Sequence, residues 1–125
     1  MIRIVTESMS DFTQEEAKAA DLIVMPLPIR FGMEEYWDDG VSLTQDDFYA
    51  RLRVAKELPK TSQVPVEHYR KCFNRLLENP EDEVLVITGS SKLSGCYQSA
   101  CIAREACHDP ARVTVLDSLN ATCAE

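Results

Sequence analysis

The chain has 125 residues, 45% of them hydrophobic, and a net charge of −8 from 13 basic and 21 acidic side chains. That is one domain's worth of polypeptide with enough apolar residues for one core, and its acidity speaks against nucleic acid, which clustered Lys and Arg would serve. No apolar run approaches the roughly 20 residues of a membrane span, and Met1-Ile-Arg-Ile-Val-Thr6 enters a strand directly, without the pattern of a signal peptide.

Ile2–Thr6 reads as a short strand, followed by a polar turn over Glu7-Ser8-Met9-Ser10-Asp11. Thr13 and Glu16 form a capping box that opens a short helix ending near Asp21. Leu22–Met25 is a second strand. Ile29–Phe31 and Glu35–Trp37 flank Gly32-Met33-Glu34 and read as a hairpin or an edge excursion. After Asp38-Asp39-Gly40, Ser42 or Thr44 caps a helix over Asp46–Ala55, with Phe48, Leu52 and Ala55 on one face. Leu58–Gln63 reads as a loop. Pro65 suits the first turn of a helix carrying Val66, Tyr69, Phe73, Leu76 and Leu77, which Asn79-Pro80 ends.

Val84–Ile87 is β-branched and aliphatic enough for a strand buried on both faces. It runs through Thr88-Gly89-Ser90-Ser91 into a helix starting near Ser94. On that helix Leu93, Cys96, Tyr97, Ala100, Ala103 and Cys107 keep helical spacing. His108-Asp109-Pro110 closes the helix, Val113–Leu116 is the last strand, and Asp117-Ser118 follows. Strands and helices alternate, which implies an α/β fold: a small parallel sheet with right-handed crossovers and helices on both faces. Ligands of such sheets sit beyond the carboxyl ends of the strands. Glu7-Ser8, Thr88–Ser91 and Asp117-Ser118 all fall on that rim. A helix start preceded by Gly and Ser offers free N–H groups, the positive end of a dipole and hydroxyl donors, so an anion is the expected ligand. The plainer reading makes Ser94 only an N-cap.

Five cysteines, Cys72, Cys96, Cys101, Cys107 and Cys123, are odd in number and lack CxxC spacing. They read as reduced thiols of a cytoplasmic protein, and those on the Ser94 helix as small core residues. His68 and His108 have no partner at metal-ligand spacing, so neither a metal nor a cofactor is expected.

Four segments together resemble the DegV family of bacterial fatty-acid-binding proteins: Ile4-Val-Thr-Glu-Ser8, Asp39-Gly-Val41, Leu58-Pro-Lys-Thr-Ser-Gln63 and Ser90-Ser-Lys-Leu-Ser-Gly-Cys-Tyr-Gln-Ser99. The resemblance runs to about Ala121. It implies a DegV-like N-terminal domain over residues 1–125, with the family's second domain absent, as an isolated first domain or a truncated gene product. It further implies a non-catalytic protein that holds one long-chain fatty acid and presents it to a fatty acid kinase. Thr61 and Ser94 match the family's carboxylate-binding positions, with Ser62 and the backbone of Gly95 as neighbours. Three departures stand out. The usual TDS is Thr6-Glu7-Ser8, LSGTYQS has Cys96 in place of Thr, and the Arg, the His and the other tunnel wall of the second domain are missing. A tail that stays partly wet loses about 0.8 kcal/mol per unburied CH₂. The chain alone is therefore expected to bind poorly unless two copies pair their exposed interdomain faces as a homodimer. The alternatives are a serine-dependent acyl hydrolase using Ser94 or Ser91, which lacks a G-x-S-x-G elbow, and an anion or phosphate site, which lacks a P-loop.

Overall fold

The computed structural model describes all residues, 1–125. In chain order the elements are β1 (Ile2–Glu7), α1 (Gln14–Ala19), β2 (Leu22–Met25), β3 (Pro28–Phe31), β4 (Glu34–Trp37), α2 (Gln45–Val54), β5 (Lys60–Thr61), α3 (Val66–Leu76), β6 (Glu83–Thr88), α4 (Cys96–Ala106) and β7 (Val113–Asp117). Single 3-10 turns lie at Ser8–Ser10, Pro110–Arg112 and Thr122–Ala124.

The main sheet has the order β2-β1-β6-β7 and every pairing in it is parallel. β2 and β6 lie on opposite sides of β1. Right-handed crossovers therefore place α1 on one face and α3 on the other, and α4, joining β6 to β7, falls on the same face as α3. The α3/α4 face holds the core. Val5, Val84, Val86 and Val113 meet Tyr69, Phe73, Cys96, Ala100 and Ala103 there, all buried. α3 is amphipathic for this reason: Tyr69, Cys72, Phe73 and Leu76 recur on one stripe and all are buried. The opposite face is covered less. Ile4, Leu85 and Ile87 are half-buried and Leu116 is exposed.

A second, antiparallel sheet has the order β4-β3-β5. The hairpin closes over Gly32-Met33, with Gly32 at φ 60°, a left-handed position that glycine takes without steric cost. Strand β5 was expected to be loop. It forms because Thr61 pairs with Ile29 and Lys60 with Arg30, a long-range match with no local signal. Thr44, rather than Ser42, caps α2, accepting the Asp47 N–H at 3.2 Å. Ser42 instead bonds Asp39 and the Trp37 backbone. α2 buries no residue fully: of the face expected at Phe48, Leu52 and Ala55, the first two are half-buried, and Ala55 lies past the helix end and is exposed. The Thr13/Glu16 capping box forms as expected.

Two expectations need correction. Glu7 belongs to β1 and is fully buried, and Ser8 and Ser10 are buried too, so this stretch is not a solvated turn. The cause is strand alternation: Glu7 follows Val5 onto the core face. On α4, Cys96, Ala100, Ala103 and nearby Cys107 are buried, but Leu93 is 70% exposed because it precedes the helix in a turn. No helix is long and apolar enough to cross a membrane.

Candidate functional site

Parallel topology brings the carboxyl ends of β1, β6 and β7 to one rim, and the turns after them form its surface. The turn after β6 is held by its own backbone. Ser90 accepts the N–H groups of Leu93 (2.9 Å) and Ser94 (3.0 Å) at its carbonyl, and its amide donates to the Asn120 carbonyl at 2.8 Å. Its hydroxyl accepts the Lys92 N–H at 3.2 Å. Asp117, at the end of β7, accepts the amides of Ser91 (3.2 Å) and Leu119 (3.0 Å). The Ser91 hydroxyl beside it, followed by those amides, holds its carboxyl below the usual range.

α4 opens at Cys96, two residues past Ser94, with Gly95 in the cap position. Ser94 still does a cap's work: its Oγ accepts the Cys96 N–H at 3.2 Å. Having accepted, the hydroxyl keeps its own proton to donate outward. The amides of Gly95, Tyr97 and Gln98 find no acceptor within the chain. Three free N–H groups at the positive end of an 11-residue helix make a ready anion position.

The segment from Thr61 to Val64 is carried to this helix start by β5 and by α3 behind it. Ser62 donates its amide to the Pro28 carbonyl at 3.3 Å, which continues the β3–β5 pairing. Val64 is fully buried, and its amide donates to the Cys96 Sγ at 3.5 Å. Gln63 lies against Gly95 so closely that a Cβ there would sit 3.2 Å from the Gln63 carboxamide carbon. A side chain at this position would make the Gln63 carboxamide give way by a few tenths of an ångström. The fold thus joins the two sequence segments that carry Thr61, Ser62, Ser94 and Gly95. Gln63, Val64 and Cys96 make the contacts. Thr61 and Ser62 are exposed, and neither hydroxyl has a partner in the chain.

Cys96 has a role that sequence reading missed. It is fully buried, receives the Val64 amide and faces Glu7 and Tyr69, and burial pushes its thiol up to about 11. It is therefore a neutral thiol that links the Thr61 segment to the helix start. Its place at the first turn of an apolar-faced helix was the available signal. Gln63 lay inside a recognised motif but carried no periodicity to mark its contact.

Neither histidine hydrogen-bonds a serine. His68 stacks on Trp37 with ring centroids 5.0 Å apart, and the His108 backbone amide donates to Asn74 beyond the far end of α4. An open groove of ≈ 650 Å³ runs between the β3–β4 turn and the end of α2, lined by Phe31, Met33, Arg51 and Val54 among others. Thr61 and Ser94 do not line it.

These features define a parallel α/β domain with an anion-type position at the rim, where a helix start meets two hydroxyl-bearing segments. The profile of a family described as "Uncharacterised protein, DegV family" matches residues 1–125, and the chain belongs to the DegV family. A DegV domain-containing protein of Caldanaerobacter subterraneus subsp. tengcongensis is 39% identical over 97% of this chain and 42% of its own length. A fatty acid-binding protein of Thermotoga maritima is 35% identical over 98% of the chain and 42% of its own length. The crystal structure of a stearic acid-binding protein from Eubacterium ventriosum superposes with a TM-score of 0.87 at 32% identity, covering 98% of this chain and 43% of that one. The chain spans well under half the length of the proteins it matches.

Proposed function

We propose that this chain binds a long-chain fatty acid without chemically changing it. Thr61 and Ser94 hold the carboxylate, with Ser62 and the Gly95 backbone beside them. The observation that carries the reading is the α4 start, where three free amides and the Ser94 hydroxyl face the segment bearing Thr61 and Ser62. Two hydroxyls and a helix N-terminus suit a carboxylate, and charge-assisted hydrogen bonds are the stronger kind. The names of the relatives from Thermotoga maritima and Eubacterium ventriosum supply the ligand class.

The acyl tail needs an apolar wall. Each CH₂ left in water weakens binding by about 0.8 kcal/mol. Pairing of two copies through the exposed apolar residues near the rim, including Leu93 and Leu119, would shield it. The family resemblance adds a fatty acid kinase as the partner that takes the presented carboxylate.

Mass spectrometry of an organic extract of the purified protein, beside its native mass, tests this. A long-chain fatty acid in fixed proportion to protein, and lost on Thr61→Ala or Ser94→Ala, supports the reading. A folded protein with an empty extract that takes up no added fatty acid overturns it. Turnover of a chromogenic acyl ester abolished by Ser94→Ala would replace it with the hydrolase reading.

A further inference from the structure

β2 is an edge strand: it pairs with β1 on one side and with nothing on the other. The outward N–H and C=O groups of such a strand invite a further strand, and proteins commonly blunt them with charge, proline or a bulge. β2 has none of these. Leu22, Ile23, Val24 and Met25 are four apolar residues in a row, all half-buried, and Asp21 and Pro26 stand only at its ends. The opposite edge differs, since β7 carries Thr114 and Asp117 within the strand.

An open groove of ≈ 460 Å³ lies along this edge, between β2 and α3. Ile23 and Met25 belong to its strand side. Their register partners are Val5 and Glu7, so they sit on the core face of the sheet. His68, Lys71 and Arg75 form its helix side. Those three recur at i, i+3 and i+7, which makes them one stripe along α3 beside the core stripe of Tyr69, Phe73 and Leu76. His68 is held there by stacking on Trp37. Lys71 and Arg75 are exposed, and neither takes part in any of the chain's ion pairs. No acidic residue lines the groove, in a chain with 21 acidic side chains against 13 basic ones.

The strand edge calls for an extended backbone, and the uncompensated cations call for carboxylates. We infer that β2 and α3 form a docking surface for an extended acidic segment of a partner protein, which adds a strand beside β2 and sets its carboxylates against Lys71 and Arg75. The dimensions agree. Four residues of helix advance about 6 Å, and two residues of strand about 6.6 Å. Carboxylates at alternate positions of the added strand therefore keep step with Lys71 and Arg75. Main-chain hydrogen bonds to β2 supply affinity, and the alternate side chains supply selection. A second copy of this chain suits the groove less, because pairing two β2 edges brings two basic stripes together. The inference does not rest on the ligand of the α4 start.

A capped peptide that alternates glutamate with valine is the probe, followed on the isotopically labelled chain by amide shifts and hydrogen exchange. The Leu22–Met25 amides should shift and gain protection. Binding should weaken by about tenfold or more in the double variant Lys71→Glu, Arg75→Glu. Both side chains are exposed and free of ion pairs, so the fold should persist, and unchanged amide shifts elsewhere report that it does. Arg53→Glu, on the exposed surface of α2, moves the net charge in the same direction and should leave affinity within about twofold. The same peptide with lysine for glutamate should not bind. Absence of shifts at β2, equal binding of the lysine peptide or undiminished binding by the double variant would overturn the inference. So would protection of β2 in the chain alone that disappears on dilution, which would give this edge to a second copy.

Discussion

Replacing Ser94 by alanine separates two roles of one hydroxyl. Its oxygen accepts the Cys96 N–H at 3.2 Å, and its proton remains free to meet a ligand. Loss of the cap should lower stability by about 1 kcal/mol, the usual cost of removing such a group. Loss of a hydrogen bond to a charged carboxylate is worth about 1.5–3 kcal/mol. That corresponds to roughly ten- to a hundredfold weaker binding, since each 1.4 kcal/mol is a factor of ten. Thr44→Ala is the matched control. Thr44 caps α2 in the same way, away from the rim, so its variant should lose similar stability and no affinity. Urea unfolding measures the first quantity and titration with a fluorescent fatty acid the second. If Ser94→Ala weakens binding no more than Thr44→Ala does, Ser94 is only a cap and the carboxylate assignment is wrong.

Arg112 donates to the carbonyls of Leu77, Asn79 and Asp82 and to Asp109, pinning the end of α3 and the start of β6 to the approach to β7. Arg112→Ala should cost about 2–4 kcal/mol in chemical denaturation, and Arg112→Lys should recover less than half, because an ammonium cannot reproduce the planar fork. Gly95→Val should push Gln63 away from the helix start, weakening fatty acid binding more than it lowers the melting temperature, since the nearest atoms to a Cβ there all belong to the Gln63 side chain. Thr13→Ala removes the cap of α1 and should cost about 1 kcal/mol in urea unfolding with no effect at the rim.

The main sheet was legible because its strands are short apolar runs set off by turn residues. Val84–Ile87 could be recognised from composition alone, and the alternation of strands and helices then implied the parallel order. β5 was not legible: Lys60 and Thr61 have no strand character, and their pairing with β3 exists only in three dimensions. Glu7 was misplaced because a charged residue before Ser8 resembles a turn. Its alternation with Val5 pointed inward, and the strand ran one residue further than the apolar pattern showed. At the site, the hydroxyl residues were readable from motif resemblance. The means by which they are held could not be read, since Gln63 against Gly95 and Val64 on the Cys96 thiol are contacts between distant segments.

The central claim is that the start of α4 receives a fatty acid carboxylate. Titration of the isotopically labelled chain with a soluble medium-chain fatty acid, followed by amide chemical shifts, tests it even where binding is weak. The account predicts that the free amides of Gly95, Tyr97 and Gln98 move first, together with Thr61 and Ser62, and that inorganic phosphate fails to reproduce the pattern. Shifts confined to the groove of Phe31, Met33 and Val54, with the α4 start unmoved, would contradict it.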